Sequence, residues 1–326
     1  MTPSRQISRR ALLGAAALLP LAGCSKEKNA DASTRRSTAT PSLSSPTVAP
    51  SPSPASSLDP ELTKLENEFS ARLGVYAAVI GTDKVIAHRA DDRWAFCSAF
   101  KGLAAAALLH APNARLDKRI TYTERDLLLP DSAPVTKDHV ATGMTLGALC
   151  DAAIRYSDGT AGNLLLRELG GPAALTAYLR ASLGDTVTQS VRPEPTLWSE
   201  WTPGDLRDTT SPRAIGEDYR KIVLDEVLPA QHRQFLRGLL ETANVRVNSK
   251  ERIRAGVPQG WKVADKTGTG GSYGIANDIA VVWPVNSSTP LLMSIMSDQA
   301  ARGAKANNLL IARTAKYLAR TLTTDS

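Results

Sequence analysis

The order of hydrophobic and polar positions predicts regular structure over most of the chain. Apolar residues recur at helical spacing over 60–73, which predicts a helix that Gly74 ends. Strand-like runs at 75–80 and 84–88 flank a short polar turn and predict a β-hairpin. An alanine- and leucine-rich run at 100–109 predicts a buried helix.

The same kinds of pattern continue towards the C-terminus. Helical spacing predicts further helices at 146–155, 161–169, 172–183, 212–224 and 304–322. Strand patterns predict three late strands, at 262–266, 278–283 and 291–297. Strands therefore lie towards both ends of the folded part, and helices lie between them.

This arrangement predicts an α/β fold of the α+β type. We expect an antiparallel sheet that is flanked by helices and built from both termini, with an inserted all-helical subdomain. The folded part is assigned to 58–322, with the α/β part at 58–95 and 245–322 and the helical part at 96–244. A cleft between the two parts is the expected place for an active site.

The first 57 residues have the composition of targeting and linker segments. Residues 1–24 contain Arg9 and Arg10 before a short apolar run, a pattern that resembles a twin-arginine export signal. The string Leu-Ala-Gly-Cys that ends at Cys24 resembles a lipobox, and it predicts a lipid anchor on that cysteine; ordinary signal cleavage nearby is the alternative. Residues 25–57 form a Ser-, Pro- and Thr-rich linker. The sequence predicts export, either to the outer face of the cell membrane as a lipoprotein or as a secreted protein.

Composition narrows the classes of function. The 326 residues carry a formal net charge of +7 with only 5% aromatic residues, and no basic stripe interleaved with aromatic residues is present. Nucleic-acid binding is therefore not predicted. The four histidines lack the spacing of zinc ligands, so a zinc hydrolase is not predicted. We expect a monomer. Cys97 and Cys150 could form a disulfide, but each lies in an apolar stretch that favours a buried free thiol.

Two motifs can supply the groups of a serine acyl transferase. In Ser98-x-x-Lys101 a helix would place the lysine one turn after the serine and on the same face, where it can activate the hydroxyl. Ser157-Asp-Gly follows a predicted helix and offers a second hydroxyl to relay a proton. Each motif has a structural alternative: Ser-x-x-Lys also occurs by chance at 25–28, and Ser157 is a good helix N-cap.

Two further segments complete the chemistry. Lys266-Thr-Gly-Thr ends a predicted strand, where the lysine can hold an anionic group and the glycine allows close approach. Glu194 lies in a long polar loop between Arg192 and Asp208, which are expected to pair at the neck of that loop. If the loop packs over Ser98, Glu194 can act as a general base. The structural alternative for Lys266-Thr-Gly-Thr is a simple strand end and turn, and the alternative for the segment around Glu194 is a surface loop.

Taken together, these motifs resemble the class A serine β-lactamases. The similarity spans roughly 58–322 and includes Tyr-Ser-Asp-Gly-Thr-Ala-Gly-Asn at 156–163 and Asp-Lys-Thr-Gly-Thr-Gly at 265–270. The resemblance implies that Ser98 attacks the lactam carbonyl after Lys101, or Glu194 acting through a water, removes its proton. Glu194 then activates the water that hydrolyses the acyl-enzyme.

The resemblance also assigns the remaining site residues. Ser157 passes a proton to the lactam nitrogen with electrostatic help from Lys266, and the N–H groups of Ser98 and Thr269 hold the oxyanion. Asn163 braces the Glu194 loop. The implied substrate-binding residues are Asn163, Thr267, Gly268, Thr269 and Arg252. β-Lactams are the implied substrates, and no cofactor is implied.

Three departures from the family pattern bear on turnover. Trp198 stands where many members have an asparagine that helps to hold the deacylating water. Gly159 replaces the asparagine of Ser-Asp-Asn, and the segment 127–133 lacks the aromatic gate of the family. Trp198 in particular keeps an alternative open, a penicillin-binding or sensor protein that stays acylated. A D-Ala-D-Ala peptidase with the same acylation residues is a third interpretation.

Overall fold

The structure is a computed structural model, and it describes residues 58–243, 251–285 and 287–324. The predicted export signal, the linker and the lipidation site at Cys24 lie outside these residues. Across the described ranges, the search for a helix long and apolar enough to cross a membrane found none.

The described strands form one large antiparallel sheet and two small ones. The large sheet has five strands in the order β2-β1-β9-β8-β7, while β3 pairs with β6 and β4 with β5. In chain order the strands are β1 Arg72–Val79, β2 Val85–His88, β3 Trp94–Ala95, β4 Arg119–Ile120, β5 Met144–Thr145, β6 Thr209–Thr210, β7 Lys262–Thr269, β8 Ala276–Trp283 and β9 Leu291–Asp298. The predicted hairpin and the sheet built from both ends of the fold are confirmed.

Helices cover both faces of the large sheet. In chain order they are α1 Pro60–Phe69, α2 Phe100–Leu109, α3 Leu146–Arg155, α4 Gly159–Leu169, α5 Pro172–Tyr178, α6 Thr196–Ser199, α7 Pro212–Leu224, α8 Ala230–Glu241, α9 Ile253–Gly256 and α10 Asn308–Thr323. All eight residues of the central strand β9 are buried, as expected for a strand with helices on both sides.

Along each strand of the large sheet, the side chains of alternate residues pack into two separate hydrophobic cores. On one face, Val75 and Met293 pack with Leu62 of α1 and Leu318 of α10. On the other face, side chains such as Leu292 join a larger core with α2, α3, α4, α7 and α8. The start of α2 therefore lies where the sheet meets the helical layer. The α+β architecture is confirmed, whereas the division into 58–95 with 245–322 and 96–244 stays a prediction.

Two predicted helix boundaries differ from the observed ones by four residues. The helix predicted over 60–73 ends at Phe69, because Ser70 adopts a left-handed conformation with φ 49° and the chain turns into β1. Gly74 therefore does not end a helix. It lies in β1, where a Cβ atom would come within 2.5 Å of the Trp94 ring, so glycine makes room for the indole. At the other end, Asn307 caps α10, and that helix begins four residues later than predicted.

Helix α8 was not predicted. Its buried apolar face consists mainly of Leu236, Leu239 and Leu240, near its C-terminal end, and its first half is polar. The helices predicted at 100–109, 146–155 and 212–224 have the predicted bounds. The helix predicted at 172–183 comprises α5 followed by a π-helical turn over 179–183.

Candidate active site

Ser98 and Lys101 meet as the sequence predicts. A 3₁₀ turn, Cys97–Ala99, carries Ser98 directly into α2, and Lys101 follows in the first turn of that helix. The Lys101 Nζ atom lies 2.9 Å from Ser98 Oγ and 2.7 Å from the Ser157 carbonyl oxygen. Lys101 is fully buried, so its ammonium depends on these acceptors and on a nearby carboxylate.

That carboxylate belongs to Glu194, which is also buried. Its Oε1 atom accepts a hydrogen bond from Ser98 Oγ at 2.7 Å and lies 3.0 Å from Lys101 Nζ. Asn163 holds the backbone of Glu194 from both sides, donating to its carbonyl at 2.7 Å and accepting from its N–H at 2.9 Å. The loop that carries Glu194 therefore packs over Ser98.

The neck of this loop is closed by a buried ion pair, and the pairing predicted from the sequence is confirmed. Arg192 Nε donates to Asp208 Oδ2 at 2.6 Å. The second carboxylate oxygen of Asp208 accepts from the N–H groups of Val191 and Arg192 at 2.7 and 2.9 Å. The Asp208 carbonyl accepts from the N–H of Phe96, two residues before the serine, so the neck is tied to the nucleophile segment.

Ser157 and Lys266 form the opposite side of the site. Lys266 Nζ donates to Ser157 Oγ at 3.1 Å and to the carbonyl of Thr267 at 3.0 Å. Burial, reinforced by the positive charge of Lys101, lowers the pKa of Lys266 to about 7. The structural alternative for Ser157 is wrong, because Asp158 caps α4 by accepting from the Ala161 N–H at 2.8 Å.

The end of β7 and Arg252 form a connected group. Arg252 is 5% exposed, and it donates to the Gly268 and Asn277 carbonyls and to Thr269 Oγ1. Thr269 is exposed and can contact a substrate. Arg252 is buried beneath Thr269 and holds its hydroxyl by a hydrogen bond. Gly268 is buried: a Cβ atom there would lie 2.4 Å from the Phe96 carbonyl oxygen, so glycine lets β7 approach the turn that carries Ser98.

Backbone strain is concentrated near these groups. Cys97, Ser157 and Arg252 have φ values of 48°, 54° and 54°, a region that residues with a Cβ atom enter at a cost of roughly 1–3 kcal/mol each. Two residues that the sequence analysis missed hold the strained turn before α2. Tyr219 Oη donates to the Ala99 carbonyl at 2.7 Å, and the buried Asn277 donates to the Ala95 carbonyl at 2.8 Å. The available signal for Asn277 was a polar pair, Asn277 and Asp278, near the start of a strand whose other residues are apolar.

Comparison with known proteins identifies the family that shares this arrangement. The sequence model of the beta-lactamase enzyme family matches residues 57–322. The chain belongs to this family. It is 45% identical over 327 residues to a β-lactamase of Mycobacterium tuberculosis strain H37Rv, covering 98% of this chain and 99% of that protein. It is 47% identical to a β-lactamase of Amycolatopsis lactamdurans over 82% of this chain and 86% of that protein.

Solved structures share this fold and identify the class of β-lactamase. A class A β-lactamase from Clostridium kluyveri superposes with a TM-score of 0.76 at 42% identity, over 81% of this chain and 98% of that structure. The β-lactamase of Streptomyces albus G gives a TM-score of 0.75 at 42% identity, over 80% and 98%. The protein is thus a class A serine β-lactamase.

The residues that depart from the family pattern all lie around the cleft of this β-lactamase. Trp198 packs against a small cluster of Ala95, Cys97, Trp201 and Ile275, so its ring fastens the Glu194 loop to the sheet edge. Leu128 approaches Gly159 from the segment 127–133, and its N–H is held by Thr160 Oγ1 at 2.9 Å.

Both cysteines in the described part of the β-lactamase are free, buried thiols, and burial raises the pKa of each. The disulfide alternative is therefore wrong. Within the described ranges, a search for three or more histidine, cysteine or acidic side chains placed to hold a metal ion found no such group.

Proposed function

We propose that this β-lactamase opens the β-lactam ring by acylation of Ser98 and releases the product by hydrolysis of that ester. One observation carries the proposal: the Ser98 hydroxyl is hydrogen-bonded to both a buried ammonium and a buried carboxylate. The carboxylate can remove a proton from the serine and can later activate a water, while the ammonium stabilises the negative charge on the oxygen atoms. The β-lactamases to which the chain is similar support the choice of substrate.

In the acylation half, Ser98 Oγ attacks the lactam carbonyl as its proton passes to a neighbouring base. Lys101 and Glu194 both lie within hydrogen-bond range of Oγ. Glu194 can receive the proton as a carboxylate, whereas Lys101 can receive it only after its ammonium has lost a proton. The N–H groups of Ser98 and Thr269 are assigned to the oxyanion. When the C–N bond breaks, Ser157 gives its proton to the lactam nitrogen, and Lys266 at 3.1 Å stabilises the resulting alkoxide.

In the deacylation half, Glu194 accepts a proton from the attacking water, and the water oxygen forms the new bond to the acyl carbon. The Ser98–carbonyl bond then breaks, and Glu194 passes the proton that it took from the water to Oγ. The two hydrogen bonds from Asn163 fix the backbone of Glu194 for this step. The positive charge of Lys266 and the hydroxyl of Thr269, which Arg252 orients, are suited to the carboxylate of a substrate.

The alternative of a sensor that stays acylated rests on Trp198, which stands beside the loop of the deacylating base. A chromogenic cephalosporin distinguishes the two functions. The proposed hydrolase turns over many equivalents of substrate per protein molecule, with a Ser98→Ala variant as the inactive control. A burst of one equivalent with no further turnover would establish the sensor and refute hydrolysis.

We further propose that the protein is exported, is anchored through a lipid on Cys24 and acts as a monomer. The support is the leader pattern at residues 1–24 and the spacer composition of 25–57. Metabolic labelling with a palmitate analogue should mark the wild-type chain in the membrane fraction, whereas Cys24→Ser should lose the label. Label retained by the variant would place the lipid elsewhere. Light scattering should give the mass of one chain.

A further inference from the structure

We propose that Arg93 is a positioning residue for deacylation, because the planar fork of its guanidinium holds both ends of the Glu194 loop against the segment that leads to Ser98. The inference rests on the proposed function, since it concerns the step in which Glu194 activates a water. Arg93 acts through the backbone of the loop and not by contact with the reacting atoms.

The Arg93 guanidinium donates hydrogen bonds from all three of its nitrogen atoms. Nε donates to Thr209 Oγ1 at 3.0 Å, and Nη2 donates to the same oxygen at 2.7 Å and to the Thr209 carbonyl at 3.2 Å. Nη2 also lies 3.4 Å from the Leu206 carbonyl oxygen, and Nη1 donates to the Val187 carbonyl. These acceptors are all uncharged oxygens.

The acceptors lie on the two chain segments that meet at the neck of the loop. Val187 begins an entry arm, residues 187–192, whereas the other two acceptor residues lie in an exit arm, residues 205–210. Arg93 itself directly precedes β3, which pairs with β6 in the exit arm and is followed by the 3₁₀ turn of the nucleophile. One side chain therefore fixes both arms relative to the segment that carries the nucleophile.

Arg93 also holds a strained turn within the exit arm. Asp208 has a φ of 57°, a left-handed conformation that a residue with a Cβ atom adopts only at a cost. Leu206 and Thr209 lie on either side of it, and the guanidinium donates to both. This turn presents the Asp208 carboxylate to Arg192. Loss of the Arg93 contacts should therefore loosen the neck of the loop.

The position needs a guanidinium because its partners are neutral and spread over two arms. Within the described ranges no carboxylate forms an ion pair with Arg93, although the charge of Asp185 is near enough to act on its pKa. A lysine would keep a positive charge but would present a single nitrogen, which cannot reproduce the fixed angles of the fork, and an ammonium is more strongly hydrated. Charge alone therefore does not replace Arg93.

The expected defect lies in the decay of the acyl-enzyme. Deacylation needs the Glu194 carboxylate within hydrogen-bond reach of the attacking water, and a displacement of about 1 Å can slow such a step by about 100-fold. A merely structural role has a different signature. Partial unfolding lowers the amount of acyl-enzyme that forms, but it leaves the rate constant of decay unchanged.

The test compares Arg93→Lys with Arg213→Lys, a matched control at a more exposed guanidinium that forms a two-point ion pair with Asp91. Each protein is acylated by a penicillin in a single turnover, and intact mass after rapid quenching follows the acyl-enzyme. We expect the rate constant of decay to fall at least about tenfold in Arg93→Lys and to keep the wild-type value in Arg213→Lys. Wild-type decay in Arg93→Lys would overturn the proposal.

Thr209→Val is a second test, and it decides even if Arg93→Lys does not fold. It removes the hydroxyl that accepts from Nε and Nη2 of Arg93 and keeps the branched shape of the side chain. Decay of the acyl-enzyme should slow about threefold or more, as expected when hydrogen bonds to a charged group are lost. Decay at the wild-type rate would overturn the proposal.

When both variants fold, a double-mutant cycle links the two residues. In the Arg93→Lys background, Thr209→Val should have much less effect on decay than in the wild type, because the hydrogen bonds that it removes are already disturbed. An undiminished additional effect would show that the two residues act independently and would overturn the proposal.

The proposed function fails in a different way. A wild-type acyl-enzyme that forms and does not decay would refute hydrolysis, whatever the variants do. A wild type that turns over, together with an Arg93→Lys acyl-enzyme that decays at the same rate, would refute the positioning role and leave hydrolysis in place.

Discussion

Replacing Asp208 with asparagine should both destabilise the protein and impair deacylation, because this carboxylate closes the neck of the loop that carries Glu194. The substitution keeps one oxygen that can still accept from the N–H groups of Val191 and Arg192. It places an amide NH₂ against Arg192 Nε, which now donates to Asp208 Oδ2 at 2.6 Å. Two donors then face each other, and the guanidinium loses its nearest counter-charge.

The expected loss of stability can be estimated from the burial of the Arg192–Asp208 ion pair. The side chains of Arg192 and Asp208 are 10% and 0% exposed, and breaking a buried pair by removing one partner destabilises a protein by about 3–5 kcal/mol. Asp205 remains 3.3 Å from Arg192 Nη2 and offsets part of this loss, so we expect about 3 kcal/mol. For a domain of this size, that corresponds to a Tm lower by roughly 6–12 °C.

The matched control is Asp91→Asn, which breaks a two-point pair with Arg213 whose side chains are 68% and 41% exposed. This substitution should lower stability by less than about 1 kcal/mol. Thermal melts give the two Tm values, and decay of the acyl-enzyme after a single turnover gives deacylation, which should slow at least about tenfold only in Asp208→Asn. Equal Tm values for the two variants, or wild-type deacylation in Asp208→Asn, would refute the reasoning.

Three other predictions concern ionisation and burial. The pKa of Lys266 is about 7, so kcat/KM should fall as pH rises through about 7, and a flat profile would contradict its role. Burial and then Asp185 raise the pKa of Asp218, so the folded state keeps a proton that the unfolded state releases. In urea unfolding, Asp218 should contribute a fall in stability of about 1.4 kcal/mol per pH unit above pH ~4, and Asp218→Asn should reduce the measured slope by that amount; an unchanged slope would assign it to other groups. Cys97 and Cys150 should resist alkylation until the protein unfolds, and peptide mapping that finds them modified in the native protein would contradict their burial.

Much of the active site could be predicted because its signals are local in the sequence. Ser98 and Lys101 are three residues apart, and a single helix start brings them together. The sheet built from both ends of the fold was also predictable, since its central strands are mostly apolar at successive positions. Alternate residues of these strands pack into the two cores.

Contacts between distant segments were not predictable. The sequence pattern predicts that Gly74 ends a helix, but in the structure this glycine makes room for the ring of Trp94, twenty residues later. A Cβ atom at Gly159 would lie 2.4 Å from the carboxylate of Glu194, 35 positions later, and no pattern at either residue indicates this close approach. Such contacts are set by how the elements pack, so they become visible only in the folded structure.

The most direct test of the account is the fate of the acyl group on Ser98 with and without Glu194. Wild-type protein and a Glu194→Ala variant are each mixed with excess penicillin, quenched over time and analysed by intact mass and peptide mapping, with Ser98→Ala as the control. We predict that the wild type consumes many equivalents, whereas Glu194→Ala accumulates and keeps one adduct on the peptide that contains Ser98. Equal turnover by both proteins, or an adduct that survives in Ser98→Ala, would contradict the account.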